Sequence, residues 1–149
     1  MDDVQELISL KYRYLRTLDL KQWDDFEATF VPEATGHYGA ELEFASRDEL
    51  VGYMRESLGP GIITMHHCHH PEITVTGDTA TGRWYLEDKV IAPEFKFVLE
   101  GAAFYEDRYV RTSEGWRILH TGYKRTYEAS YSLDDLPSYK ITLGDAYTS

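Results

Sequence analysis

The chain is 149 residues long and carries a formal net charge of −11, enough for one domain with its own hydrophobic core. The acidic balance argues against nucleic acid and anionic membrane surfaces as partners, since both need a basic patch, and no apolar run approaches membrane length. One cysteine cannot form an internal disulfide, and the acidic start Met1-Asp2-Asp3 leads into no apolar segment of the signal-peptide kind, so a cytoplasmic protein is expected.

From Asp3 to about Leu20, the residues Val4, Leu7, Ile8, Tyr12, Leu15 and Leu18 recur at three- and four-residue steps, which predicts an amphipathic helix. Lys21 to Phe30 reads as a second short helix burying Trp23, Phe26 and Phe30, with Pro32 just past its end. Residues 35–43 suit a short irregular strand. Ser46-Arg47-Asp48-Glu49 is a capping box. The helix it opens carries Leu50, Val51, Tyr53, Met54 and Leu58 and stops at Gly59-Pro60-Gly61.

The period then changes to two. Strands are predicted over 62–76, 79–91, 95–111 and 116 to about 129, with turns at Gly77-Asp78 and Ser113-Glu114-Gly115. Helices followed by long antiparallel strands make the class α+β. In the second long strand Ala80, Gly82, Trp84, Leu86, Asp88 and Val90 share one face, apolar but for Asp88. A carboxylate there needs a partner, structural or functional. Residues 131–149 form a polar tail, either loose or folded over a pocket mouth. The twelve tyrosines suit a large core or the lining of an apolar pocket.

The densest chemistry lies at 66–70, His-His-Cys-His-His, which holds four of the six histidines and the only cysteine. Alternation lets only every second one face one side of a strand. His67 with His69, or His66 with Cys68 and His70, could form a half-site for a metal. A structural zinc site wants about four ligands, usually paired at two places in the chain, and no second Cys/His pair exists. No functional metal is therefore expected. One histidine acting as a base is the better reading, and the register decides which. Ile73 and Val75 have the parity of His67 and His69. A bulge near Pro71 would instead turn His66 inward.

The order of elements, with Asp19-x-x-x-Trp23, Phe-Val-Pro-Glu-Ala (30–34), the capped third helix, the histidine strand ending in Pro-Glu-Ile, Gly-Asp-Thr-Ala-Thr-Gly (77–82) and Gly-Trp-Arg-Ile (115–118), resembles the SnoaL-like branch of the NTF2-like superfamily. The resemblance covers about residues 3–128 within a single domain over 1–130. It implies a cone-shaped, curved antiparallel sheet, an α+β barrel, wrapped around the N-terminal helices and a deep pocket. It also implies homodimers formed through the outer face of the sheet. The nearest functional parallels are dehydratases of the scytalone and bile-acid 7α type. That likeness implies His66 as the pocket histidine, Asp19 as the helix aspartate, Tyr38 as the carbonyl-polarising tyrosine, Asp88 as the second-strand group, and Tyr14 as a helper. Helix geometry alone would make Tyr12 the neighbour of Asp19, since seven residues bring it nearly in line. Asp19 could also simply cap the second helix. Trp84, Phe104 and His120 are candidates for the pocket wall.

The expected activity is loss of water from a hydroxylated, carbonyl-bearing hydrophobic substrate. His66 would serve as base, Asp19 or Asp88 would orient it, and no cofactor would be needed. The same scaffold also carries isomerases with a carboxylate base, polyketide and terpenoid cyclases, and non-catalytic binding modules.

Overall fold

In the computed structural model, which describes residues 2–147, three helices cover one face of a single six-stranded sheet. Helix α1 spans Asp3–Asp19, α2 Trp23–Glu27 and α3 Arg47–Ser57. The strands are β1 (Phe30–Tyr38), β2 (Leu42–Phe44), β3 (Ile63–Thr76), β4 (Thr79–Ala92), β5 (Phe97–Thr112) and β6 (Gly115–Ser132). Their order across the sheet is β2-β1-β6-β5-β4-β3. The sheet is curved but does not close, so it is a wrapped sheet with two edges rather than a barrel. Membership of the α+β class is as expected.

Two local readings change. Phe30 opens β1 instead of ending α2, which stops at Glu27 because Pro32 lies on an extended strand. Segment 30–44 forms two strands, and β1 pairs with β6 in parallel while every other neighbour is antiparallel. A parallel pair needs a long crossover, and everything between β1 and β6 supplies it.

The ends of α1 and α3 follow from sequence. Asp2 caps α1 by accepting from the Gln5 amide at 2.7 Å, and Ser46 caps α3 by accepting from the Glu49 amide. In the second cap Glu49 reaches back to the Ala45 amide at 2.9 Å. Helix α1 ends in a Schellman motif: the Gln22 amide donates to Thr17 O and the Lys21 amide to Leu18 O. Lys21 takes the left-handed position there (φ 58°) although it is not glycine. This sharp stop puts Asp19 on the last turn of α1, where the helix dipole disfavours a carboxylate.

The core lies between helices and sheet. Leu7, Leu10, Tyr14 and Leu18 of α1 meet Trp84, Leu86, Tyr105, Tyr109, Trp116 and Ile118 from the strands. Helix α1 packs along β3 and α3 against β1.

Beyond β6, Ser132 caps a single 3-10 turn through the Asp134 amide, and Leu133 N donates to Lys96 O. Tyr131 and Tyr139 meet edge to face. Tyr147 comes back to α1, where its ring lies 5.9 Å from Lys21 Nζ. Partial burial and the charge of Asp19 push its hydroxyl pKa up. The tail therefore returns to the corner that holds Asp19. No helix among the described residues is long and apolar enough to cross a membrane.

Candidate active site

The register of β3 settles which histidine faces inward. His66 pairs with Asp88, His67 with Glu87, Cys68 with Leu86 and His69 with Tyr85; the ladder then slips by one residue and resumes at Glu72–Arg83 and Ile73–Gly82. The extra residue falls at His70-Pro71, with His70 in the left-handed region (φ 53°). Proline cannot donate to the ladder, so the bulge sits where a backbone bond is lost anyway. Before the bulge His66 and Cys68 point inward; after it Ile73 and Val75 do. The two parities that conflict in the sequence are reconciled by one inserted residue.

His66 then meets Asp19. Its Nδ1 lies 2.6 Å from Asp19 Oδ1 and its amide donates to Oδ2 at 2.9 Å, while the Thr64 hydroxyl donates to Oδ1 at 2.9 Å. Three donors from β3 thus hold a carboxylate that the helix end itself disfavours. The ionised carboxylate can only accept, so the His66 ring donates to it through Nδ1, and Nε2 is the ring nitrogen on the other side of the imidazole. Asp19 caps nothing: the N-cap of α2 is Gln22, with no side-chain bond.

His66 lines an open-mouthed cavity of about 220 Å³ between α1, α3 and the inner face of the sheet. Tyr14, Tyr38, Asp88 and Arg125 line it too, with Leu18, Met54, Leu86 and Val90 among its apolar walls. The hydroxyls of Tyr14 and Tyr38 are 2.5 Å apart, and Tyr38 stacks on Tyr123 at 5.2 Å. Tyr14, not Tyr12, is therefore the tyrosine of α1 inside the cavity; Tyr12 is half-exposed, its ring 6.3 Å from that of Trp84. Burial pushes the hydroxyls of Tyr14, Tyr38 and Tyr105 well above the usual 10, so each remains a neutral donor at physiological pH. Burial likewise pushes the Cys68 thiol up to about 12, which leaves it no nucleophile.

The raised tyrosines carry a stability consequence. Their neutral form is favoured by the fold, so their contribution is complete below pH 10. It is lost as pH climbs past the unfolded-state value toward the folded one, because the unfolded chain then releases protons that the folded chain retains. Denaturant unfolding followed from pH 7 to 11 is expected to show a midpoint that falls steeply above about pH 10.

Asp88 has a different partner from the one envisaged. Arg125 grips it with two bonds of 2.8 Å, and Glu128 lies 3.4 Å from the other side of the guanidinium. Arg125 is on β6 and Asp88 on β4, so the arginine reaches across β5. It can do so because the residue of β5 opposite Asp88 is Gly101, where a Cβ would sit 2.7 Å from Arg125 Nη1. Asp88 is thus fully engaged by a cation, and Asp19 alone orients His66.

Three expected pocket residues lie elsewhere. Trp84 is in the core, donating through Nε1 to Tyr109 Oη at 3.0 Å. Phe104 and His120 face the outer side of the sheet, Phe104 against Tyr85 with the rings tilted by 40° at 4.4 Å and His120 Nδ1 2.7 Å from Thr35 Oγ1. The cause is parity: Tyr105 and Tyr123 point inward, so their neighbours along each strand do not.

Below the tyrosines lies a pair that the sequence reading passed over. Lys11 Nζ is 2.8 Å from Asp107 Oδ2, and both side chains are wholly buried. The ammonium also sits 3.4 Å from the centroid of Tyr105 and 4.2 Å from that of Tyr14. Its contact with Asp107 is close but poorly angled for a hydrogen bond, so its other protons face ring π-clouds. Asp107 is satisfied further by the hydroxyls of Thr121 (2.8 Å) and Tyr109 (2.9 Å). A lysine at position 11 on the stripe Leu7, Leu10, Tyr14, Leu18 was the available signal.

Residues 1–122 match the family model described as a SnoaL-like domain. The chain belongs to the SnoaL-like family. Its fold is that of the NTF2-like superfamily. Among curated proteins it is similar to the uncharacterised Rv2910c of Mycobacterium tuberculosis (strain H37Rv), at 29% identity over 121 residues, 80% of this chain and 82% of the relative. A scytalone dehydratase-like protein from Novosphingobium aromaticivorans superposes with a TM-score of 0.79 at 18% identity, covering 86% of this chain and 87% of that one. A hexachlorocyclohexane dehydrochlorinase (LinA) type 2 superposes with a TM-score of 0.75 at 16% identity, covering 87% of each chain. At such identities the likeness speaks for the shared SnoaL-like scaffold only.

Proposed function

We propose that this SnoaL-like protein is a cofactor-independent acid–base lyase that removes water from a hydrophobic substrate bearing a hydroxyl next to an activated C–H and a carbonyl. The observation that carries the reading is the 2.6 Å contact of His66 with Asp19 at the wall of a largely apolar cavity that also holds the hydroxyls of Tyr14 and Tyr38. His66 Nε2 takes the proton beside the carbonyl, and Asp19 stabilises the imidazolium that forms. Tyr38, backed by Tyr14, donates to the enolate oxygen, a contribution of about 3–4 kcal/mol for one such donor. The enolate then re-forms the carbonyl, the C–O bond breaks, and His66 returns its proton to the departing hydroxide, releasing water and a conjugated enone.

Two further points support elimination. Both candidate carboxylates are engaged, Asp19 by His66 and Thr64 and Asp88 by Arg125, which favours a histidine base over the carboxylate base of an isomerase. Proteins of the same fold include one likened to a dehydratase and one named a dehydrochlorinase, both names for eliminations. The exposed Tyr85–Phe104 pair and Tyr127 on the outer sheet face would suit self-association through that face.

The test is a panel of β-hydroxy ketones on aromatic and polycyclic frames, with enone absorbance as readout. Turnover without added cofactor, abolished in His66→Gln, is the expected result. Tight binding of panel members without turnover by the wild type would instead identify a binding module.

A further inference from the structure

The other half of the histidine run lies on the opposite face of the sheet. His67 and His69 project outward from β3, and Glu87 projects outward from β4 as the cross-strand partner of His67. His67 Nδ1 is 3.5 Å from Glu87 Oε1, and the two imidazoles meet edge to face at 5.8 Å. One ligand atom from each of the three lies within 4.8 Å of the others. Bonds of about 2.0–2.2 Å in a tetrahedral site set ligand atoms roughly 3.3–3.6 Å apart. Small side-chain rotations, unhindered because all three residues are exposed, close that gap.

We propose that His67, His69 and Glu87 form a divalent transition-metal site on the outer face of the sheet, independent of the His66 cavity. Two imidazoles and one carboxylate suit zinc and its neighbours rather than magnesium or calcium, which prefer all-oxygen shells. The ladder does the pre-organising. A one-residue spacer places both histidines on one face, and the antiparallel register delivers the carboxylate opposite the first of them. The third ligand comes from another strand, which is why the histidine run read alone supplies only half a site. The fourth position is left to water or to a donor from a second molecule. The net charge of −11 draws cations to the protein. Since β3 is an edge strand, a bound ion would tie the edge to β4 on the reverse side of the residue that carries the catalytic proposal.

Isothermal titration of the tag-free, chelator-stripped full chain with zinc chloride tests this. Binding of one ion with a micromolar Kd is expected, weakened at least tenfold in His67→Ala and His69→Ala and several-fold in Glu87→Gln. His66→Gln, on the inner face, and His37→Ala, on β1, should bind as the wild type does. A Tm rise of about 8 °C is expected at a hundredfold excess of zinc over Kd. A Kd weaker than about 100 μM, affinity indifferent to His69→Ala, or binding lost in His66→Gln would overturn the proposal.

Discussion

Replacing His66 with glutamine is expected to lower kcat by about 10²–10⁴ with little change in KM, the range typical of losing a general base. Glutamine keeps the residue-66 amide bond to Asp19, so the strand and the helix end stay joined. It offers no titratable nitrogen to the cavity. Asp19→Asn should fall in the same range for a different reason. An amide can present an NH₂ where the carboxylate accepts, which frees the ring to flip or change tautomer and removes the charge that stabilises the imidazolium. Thr64→Val, which removes a single bond to Oδ1, should cost no more than about tenfold. Steady-state kinetics on any active panel substrate separate the three. Equal rates in wild type and His66→Gln would sink the mechanism, and a large effect of Thr64→Val with none of Asp19→Asn would sink the orienting role of Asp19.

Lys11→Met is expected to destabilise the fold by about 3–5 kcal/mol, the usual result of removing one partner of a buried ion pair. The magnitude follows from the surroundings. Asp107 and Lys11 are both inaccessible, so no water can replace the missing ammonium. The Thr121 and Tyr109 hydroxyls still donate to Asp107, but they carry no compensating charge. Methionine preserves most of the packed volume, so the loss reports the charge rather than a cavity. Adding Asp107→Asn should recover part of it by removing the unpaired anion while keeping an acceptor. Urea unfolding of the two single variants and the double variant measures the coupling. A loss below about 1 kcal/mol in Lys11→Met would show that the pair is dispensable. Activity should fall as well, since the same ammonium supports the rings of Tyr14 and Tyr105 from beneath.

Much of this arrangement was legible along the chain. The amphipathic period of α1, the capping box of α3 and the alternation of β4 each depend on neighbours within a few residues, and these elements form as read. The alternating face of β4 correctly singles out Asp88 as a carboxylate turned inward. The likeness of motifs pointed to His66, Asp19, Tyr14 and Tyr38; the structure places His66, Tyr14 and Tyr38 on one cavity, with Asp19 behind it, bonded to His66. The partners of two buried charges were not legible. Arg125 reaches Asp88 over an intervening strand, through the space left by Gly101. Lys11 finds Asp107 only when α1 is laid on the sheet. His120 does not share the inward face of Trp116 and Ile118 because β6 carries an extra residue at Leu119, where the β5–β6 register slips; Phe104 has the outward parity of β5, opposite to Tyr105.

Periodicity, caps and turn residues act locally, so the α+β class, the family scaffold and a short list of ionisable groups could be read along the chain. Sequence alone left the histidine run ambiguous, since alternation fixes which residues share a face but not which face is inside. Tertiary structure decided that. One extra residue at His70-Pro71 turns His66 toward Asp19 and leaves His67 and His69 to Glu87 on the far side. The physical reason is that a strand's facing is set by its pairing with β4 across the bulge, a relation between residues distant in the chain.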